Sequence, residues 1–427
     1  MIGFKQVLQG EKTLDPDSSE ESSAGRLFVP SLTLANFSLF IVDMIGGVFL
    51  LGVTATFFGS TDPIFVAITS QLATVAMLVS AVFAVLLGIL SVKFNHKKLL
   101  VLGASCIPLG ALGCFLAPNL IFLQIFFAIE GIGTTVVMVM TMTLVGEMLA
   151  LKKRPKAVGW IMTGQTFAAM AGTLVISLFF ADVGSWRSYL LWFTLPVSLI
   201  ALVAAYLGIP SSAKKQRKIV GKEAYLSSFK QVFLNKSAAA CLVGNMFAAA
   251  SVMWMVFFVA FFMTRFGLSL ATGALVAFGM APTAALGQIV GGYLVNKGGR
   301  KKLWVTTSTI YGVTLPLLAF VPVLGIVLII VYSREFISAI GRPAGINLIL
   351  EQAPESRGTM LSVNSFLTWV GAGIGGAVGG VALAFFDYNG VILAFAAMIL
   401  IAATIFFFLA EDPCIAMQPD SIKTKPS

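Results

Sequence analysis

Twelve apolar runs divide this chain, and each is long enough to cross a lipid bilayer. A hydrocarbon core about 30 Å thick needs about 20 mostly apolar residues of helix, at about 1.5 Å of rise per residue. On that scale the spans fall near 33–57, 63–92, 99–117, 119–150, 157–181 and 187–208, then near 237–264, 268–297, 303–322, 324–352, 359–385 and 389–410. The expected fold is an all-α polytopic membrane protein. Charged residues are only 11% of the 427, less than half a soluble domain's share, so most of the chain lies in lipid. The formal charge of +10 sits in short clusters between the runs, where it reads as a topology signal and not as a nucleic-acid footprint. Cys106, Cys114, Cys241 and Cys414 form no CxxC pair and His96 is the single histidine, which argues against a disulfide framework, a zinc site or a Ser-His-Asp triad. No enzyme activity, metal or cofactor is expected.

Lysine and arginine decide the orientation. Lys93, Lys97 and Lys98, then Lys152, Lys153, Arg154 and Lys156, then Lys214, Lys215, Arg217 and Lys218, and finally Lys297, Arg300, Lys301 and Lys302 all fall in even-to-odd loops. The opposite loops carry little beyond Asp62, Asp182, Arg187, Arg265 and Asp387. The basic loops are expected to face the cytoplasm, with both termini inside. The tail 1–30 lacks a basic-then-apolar start, so no cleavable signal peptide is expected, and its polar composition suits a disordered segment. The expected organisation is a bundle over 31–209, a cytoplasmic linker over 210–236, a second bundle over 237–410 and a cytoplasmic tail over 411–427.

The two bundles repeat one plan. GGYLVNKGGRKK at Gly291–Lys302 has a blurred copy, GILSVKFNHKK, at Gly88–Lys98. The fourth run ends EMLALKKR and the tenth EQAPESR, each with a glutamate on its last turn, Glu147 or Glu351, and an arginine beyond it, Arg154 or Arg357. Counting back from those ends puts Glu130 and Glu335 at nearly equal depth.

These features together resemble the major facilitator superfamily, secondary transporters built as twelve helices in two pseudo-symmetric six-helix bundles. The family's loop signature matches at Gly292, Lys297, Gly299, Arg300, Lys301 and Lys302, with Asn296 in the place of its acid. In the first half Val92 holds the acid's place, Asn95 the second glycine's and His96 the first basic one's. GSWRSY at Gly184–Tyr189 looks like the Gly-Trp-Arg turn of bacterial efflux-type members. EGIGTT at Glu130–Thr135 is similar to a fourth-helix signature, with Phe127 for its arginine and Glu130 for its glutamine. GWIMTGQTFAAMAG at Gly159–Gly172 has the glycines of an exporter's fifth helix without the proline. The resemblance implies a cytoplasmic gate drawn from Glu147, Arg154, Gly292, Lys297, Gly299, Arg300, Glu351 and Arg357. With both loop acids replaced, Glu147 and Glu351 are the expected closing groups, and Arg300 the partner.

A charge at mid-bilayer costs at least about 2.5–3.5 kcal/mol on insertion scales, so it survives mainly by facing a wet cavity or a partner. Asp43, Glu130, Arg334 and Glu335 lie near the middle of their runs, where transporter sites form. Asp43, Glu130 and Glu335 are the candidate proton-coupling carboxylates; the competing reading for Glu130 is a structural ion pair with a base such as Arg334. Glu335 and Arg342, seven apart and about 700° of turn, share a helix face. Arg334 and Arg342 are candidate cavity residues, joined by Asn36, Gln71, Gln165, Asn245, Trp254, Asn364 and Trp369; for a tryptophan or an amide, packing or an interhelical hydrogen bond is the alternative role.

The function expected is alternating-access movement of a small organic solute by a monomer in the cytoplasmic membrane, as proton-coupled export. An uptake symporter for a sugar, carboxylate or other metabolite is the first rival, and a membrane receptor or assembly partner that does not transport is the second. A primary pump is disfavoured, since no GxxxxGK[ST] nucleotide site is present.

Overall fold

The computed structural model describes residues 25–150, 153–182, 185–210, 230, 232–353 and 357–412. Most of the 210–236 linker, most of both tails and Cys414 lie outside the described residues. Eleven helical stretches in them are long and apolar enough to cross a membrane, and the last is two helices in one. That 53-residue stretch, Arg357–Leu409, is broken at Phe386 and Asp387, where Asp387 takes a left-handed φ of 54°. The twelve expected spans are therefore present. In chain order they are α1 (Phe28–Val42 and Leu50–Phe58), α2 (Pro63–Lys93), α3 (His96–Leu116), α4 (Leu120–Met148), α5 (Arg154–Phe179) and α6 (Trp186–Gly208). The second six are α7 (Lys236–Val252 and Trp254–Phe266), α8 (Leu270–Gly298), α9 (Arg300–Phe320), α10 (Leu324–Glu351), α11 (357–385) and α12 (388–409).

Local sequence sets the ends. Asn95, Asn119, Asn235 and Ser269 each accept a hydrogen bond from an amide in the first turn of α3, α4, α7 and α8, satisfying donors a helix start leaves open. Pro63 opens α2, where its missing N–H is no loss. The halves end their first helices alike: α1 stops at Gly59 with φ 66° and α7 at Gly267 with φ 63°, a conformation that glycine adopts without strain.

The first and seventh spans, expected as continuous helices, are each interrupted. After Val42 the chain tightens into a 3₁₀ turn over Asp43–Ile45 and resumes as α-helix only at Leu50. Two glycines at the break lie against the neighbouring helices. A Cβ on Gly46 would lie 3.4 Å from the Phe127 ring of α4, and one on Gly47 3.6 Å from the Met255 carbonyl oxygen of α7. In α7 the interruption falls at Met253.

Helices α2 and α11 pack across the two bundles, and so do α5 and α8. The buried apolar residues show where the bundles meet. Away from the lysine-rich loops they form one continuous core drawn from both halves, with Leu39, Ile45, Phe49 and Val66 beside Trp254, Phe257, Phe261 and Phe395. Toward the basic loops the core divides. Phe28, Leu100, Leu144 and Ile161 belong to a cluster of the first bundle, and Cys241, Trp304, Leu348 and Phe406 to one of the second. The bundles are thus joined at one end and have separate cores at the basic end.

Candidate functional site

The break in α1 places Asp43 on a short turn halfway through the span, half-buried, where the backbone leaves the regular helix. Glu130, in the middle of α4, is 1% exposed and accepts a hydrogen bond from the Thr134 hydroxyl one turn on, at 2.7 Å. Gly110 of α3 lets it fit, because a Cβ there would come within 2.9 Å of the Glu130 Cβ. The Asp43 and Glu130 carboxyls lie within electrostatic reach of each other. Neither forms an ion pair with a base among the described residues. The structural pairing of Glu130 with Arg334 is corrected accordingly: Glu130 bonds Thr134, and Arg334 stacks on Tyr311 of α9, 4.4 Å from the ring centroid. Phe127, where the resembled family has an arginine, is buried against Gly46 beneath the α1 break.

The second bundle carries the opposite charge at the same depth. Arg334 lies 17 residues before Glu351 and Glu130 17 before Glu147, so Arg334 shares the register of Glu130 more closely than Glu335 does. Both are 1% exposed. Glu335 instead binds Arg342, Nη2 to Oε1 at 2.5 Å, on the helix face that the seven-residue spacing gives them in common. One half therefore holds a pair of carboxyls, and the other holds two guanidiniums and one carboxylate.

Two amide networks repeat this symmetry. Asn36 of α1 donates to Thr141 of α4 at 3.0 Å and accepts from Gln165 of α5 at 3.2 Å. Asn245 of α7 donates to Asn364 and Thr368 of α11, both at 3.0 Å. These residues were expected at a cavity wall, and their amides serve as interhelical bonds. Gln71 donates to its own helix at Ala67, 3.2 Å away, and its side chain abuts Gly380 of α11. Trp369 is half-buried. Trp254 has no exposed surface and packs edge-on against Phe258 and Phe261, so in this conformation it belongs to the joined core and not to a cavity wall.

At the basic end the expected gate residues bind within their own bundles. His96 of α3 holds Glu147 of α4, Nδ1 to Oε1 at 2.8 Å. Arg154 donates to the Leu149 and Gly146 carbonyls at 2.9 and 2.6 Å, capping the end of α4. Arg300 pairs with Glu351, as expected. Gly299, at φ 80°, opens α9, and Gly292 faces open space. The side chains of Lys297 and Arg357 lie outside the described residues.

Sequence reasoning missed Asp412. Its Oδ2 accepts from the Arg300 and Lys301 amides at 2.8 and 3.1 Å, so a residue 112 positions later caps α9. The available signal was an acid directly after the last apolar run. Replacing a capping carboxylate costs about 0.5–2 kcal/mol. Asp412→Ala is expected to speed amide exchange at Arg300 and Lys301 about fivefold, corresponding to about 1 kcal/mol, measured by hydrogen exchange in detergent. Unchanged protection would show that the cap adds nothing.

The fold and the site together define a two-bundle membrane transporter. The sequence profile described as Major Facilitator Superfamily matches residues 30–333 and 256–425, and the chain belongs to that family. It is similar to the uncharacterized MFS-type transporter YbcL of Bacillus subtilis, 25% identical over 354 residues that cover 81% of this chain and 87% of that one. It is also similar to the uncharacterized MFS-type transporter YvkA of the same organism, 27% identical over 137 residues, 32% of this chain and 30% of that one. The efflux pump aflT of Aspergillus parasiticus is 28% identical over 189 residues, 44% of this chain and 35% of that one. The chain has the fold of the D-xylose-proton symporter, with a TM-score of 0.77 at 14% identity over 90% of this chain and 98% of that one.

Proposed function

We propose that the protein is a proton-coupled exporter of a small organic solute, with Asp43 and Glu130 as its proton-carrying pair. The observation that carries the reading is that Asp43 sits on the broken middle of α1, which α4 touches through Phe127, while Glu130 lies buried in the middle of α4, and neither is ion-paired with a base among the described residues. A carboxyl at this depth can carry a proton from one side to the other only if it regains contact with water on each side in turn. Alternation of the two bundles supplies that contact. The basic end, read as cytoplasmic by the positive-inside rule, is where the cores separate, so this conformation faces inward. Export is supported by the likeness to aflT, which is described as an efflux pump.

The test is a solute-library screen in proteoliposomes under an imposed pH jump. Coupled export predicts that solute moves against the proton gradient, and that added solute releases a stored gradient. Solute moving with the protons would make the protein a symporter, and counterflow indifferent to pH would make it a facilitator.

A further inference from the structure

Arg334 is 1% exposed, and Nε, Nη1 and Nη2 all lack a hydrogen-bond acceptor among the described residues. The guanidinium carbon lies over the Tyr311 ring, 4.4 Å from its centroid, a cation–π contact that supplies no oxygen acceptor to the N–H groups. The carboxylate next to it in sequence is engaged elsewhere, since Glu335 holds Arg342. Tyr311 is in electrostatic reach of Arg334, Glu335 and Arg342, so the four side chains form one cluster with an excess of one positive charge. A buried, unpaired cation is strongly destabilising, whereas an apolar side chain of similar size would pack without that penalty. Stability therefore gives no reason for an arginine here, and the ion-pair explanation is removed by the Glu130 geometry.

We propose that Arg334, stacked on Tyr311, binds an anionic group of the transported solute, and that this group is a carboxylate. The guanidinium fork matches the two oxygens of a carboxylate with parallel N–H···O bonds, a fit that lysine's single ammonium does not reproduce. The inference rests on the transporter reading and narrows the cargo to small organic anions. Arg342, with 45% of its side chain exposed and two turns nearer the basic end, is the first cation such a solute meets on its way to Arg334. Glu335, clamped to Arg342, keeps that outer guanidinium from competing for the anion.

The experiment is binding in lipid-free detergent, which removes anionic headgroups as a source of the signal. The purified full-length protein is titrated with acetate, succinate and benzoate at constant ionic strength, and Tm is recorded for the parent, Arg334→Met and Arg334→Lys. At least one carboxylate is expected to raise the parent's Tm saturably. Arg334→Met should match or exceed the parent's Tm without carboxylate and weaken the response tenfold or more, with Arg334→Lys between the two. The proposal is overturned if no carboxylate stabilises the parent, if Arg334→Met keeps the response, or if that variant is less stable than the parent without ligand, which would mean a structural role. Binding in detergent needs no proton movement, so a protein that binds carboxylates but moves no protons would refute coupled export and leave this inference standing.

Discussion

Glu130→Gln is expected to reduce substrate-linked proton movement to background while leaving solute counterflow measurable. Glutamine keeps the shape and can still accept the Thr134 hydroxyl hydrogen bond through its amide oxygen, so the fold should survive the change. What it loses is the capacity to exchange a proton. The variant is compared with the parent in proteoliposomes carrying an internal pH dye, once a solute has been found by the library screen. Asp43→Asn should produce the same phenotype, and the double variant should add little to either single one, because residues acting as one unit are not additive. A Glu130→Gln protein that still moves protons with its solute would remove the coupling role and leave Glu130 as a packed polar residue. Thr134→Val separates the two functions of the site: it takes a hydrogen-bond donor from the buried carboxyl, at a cost of about 1–3 kcal/mol, and should lower stability before it touches coupling.

The fold was legible in the sequence because lipid leaves little choice. Runs of apolar residues the thickness of a bilayer read directly as helices, and the loop clusters gave their pairing into halves. The Arg300–Glu351 pair was expected from the loop signature and the acid that ends α10, and the shared face of Glu335 and Arg342 was legible from helical spacing. The breaks in α1 and α7 were not, because Gly46, Gly47 and Met253 sit in long apolar runs that read as continuous spans. The alternative pairing of Glu130 with Arg334 stayed open in the sequence for a related reason. Depth along a helix can be counted from a sequence, but the bundle into which a side chain points cannot, and Glu130 and Arg334 turn into separate interiors at the same depth. Tyr311 had no pattern of its own, and the acid after the last apolar run, Asp412, gave no hint of its partner, since each acts through residues distant in the chain.

Gly376→Leu is expected to push the protein out of the conformation described here, because α11 is a helix with two glycine edges that do different things. Gly371 and Gly375 rest on the Met246 and Ala250 backbone of α7, inside one bundle. Gly373, Gly376 and Gly380 face Leu78, Thr74 and Gln71 of α2, across the division between bundles. A Cβ at Gly376 would come within 2.6 Å of the Thr74 hydroxyl oxygen, and a leucine cannot be seated there without separating the helices. Overpacking of this kind costs about 1–3 kcal/mol, which shifts a two-state equilibrium by about five- to 150-fold. Spin labels at Asp62→Cys and Ser269→Cys, in a background without the native cysteines, report the distance between the bundles at the joined end. The label distance should lengthen in Gly376→Leu, and transport should fall because the conformation joined at this end is rarely reached. Gly375→Leu, on the other edge, should instead lower the yield of folded protein without lengthening that distance, since its clash lies within the second bundle. If both variants behave alike, the two glycine edges have one role, packing, and the α2–α11 contact is not where the bundles separate.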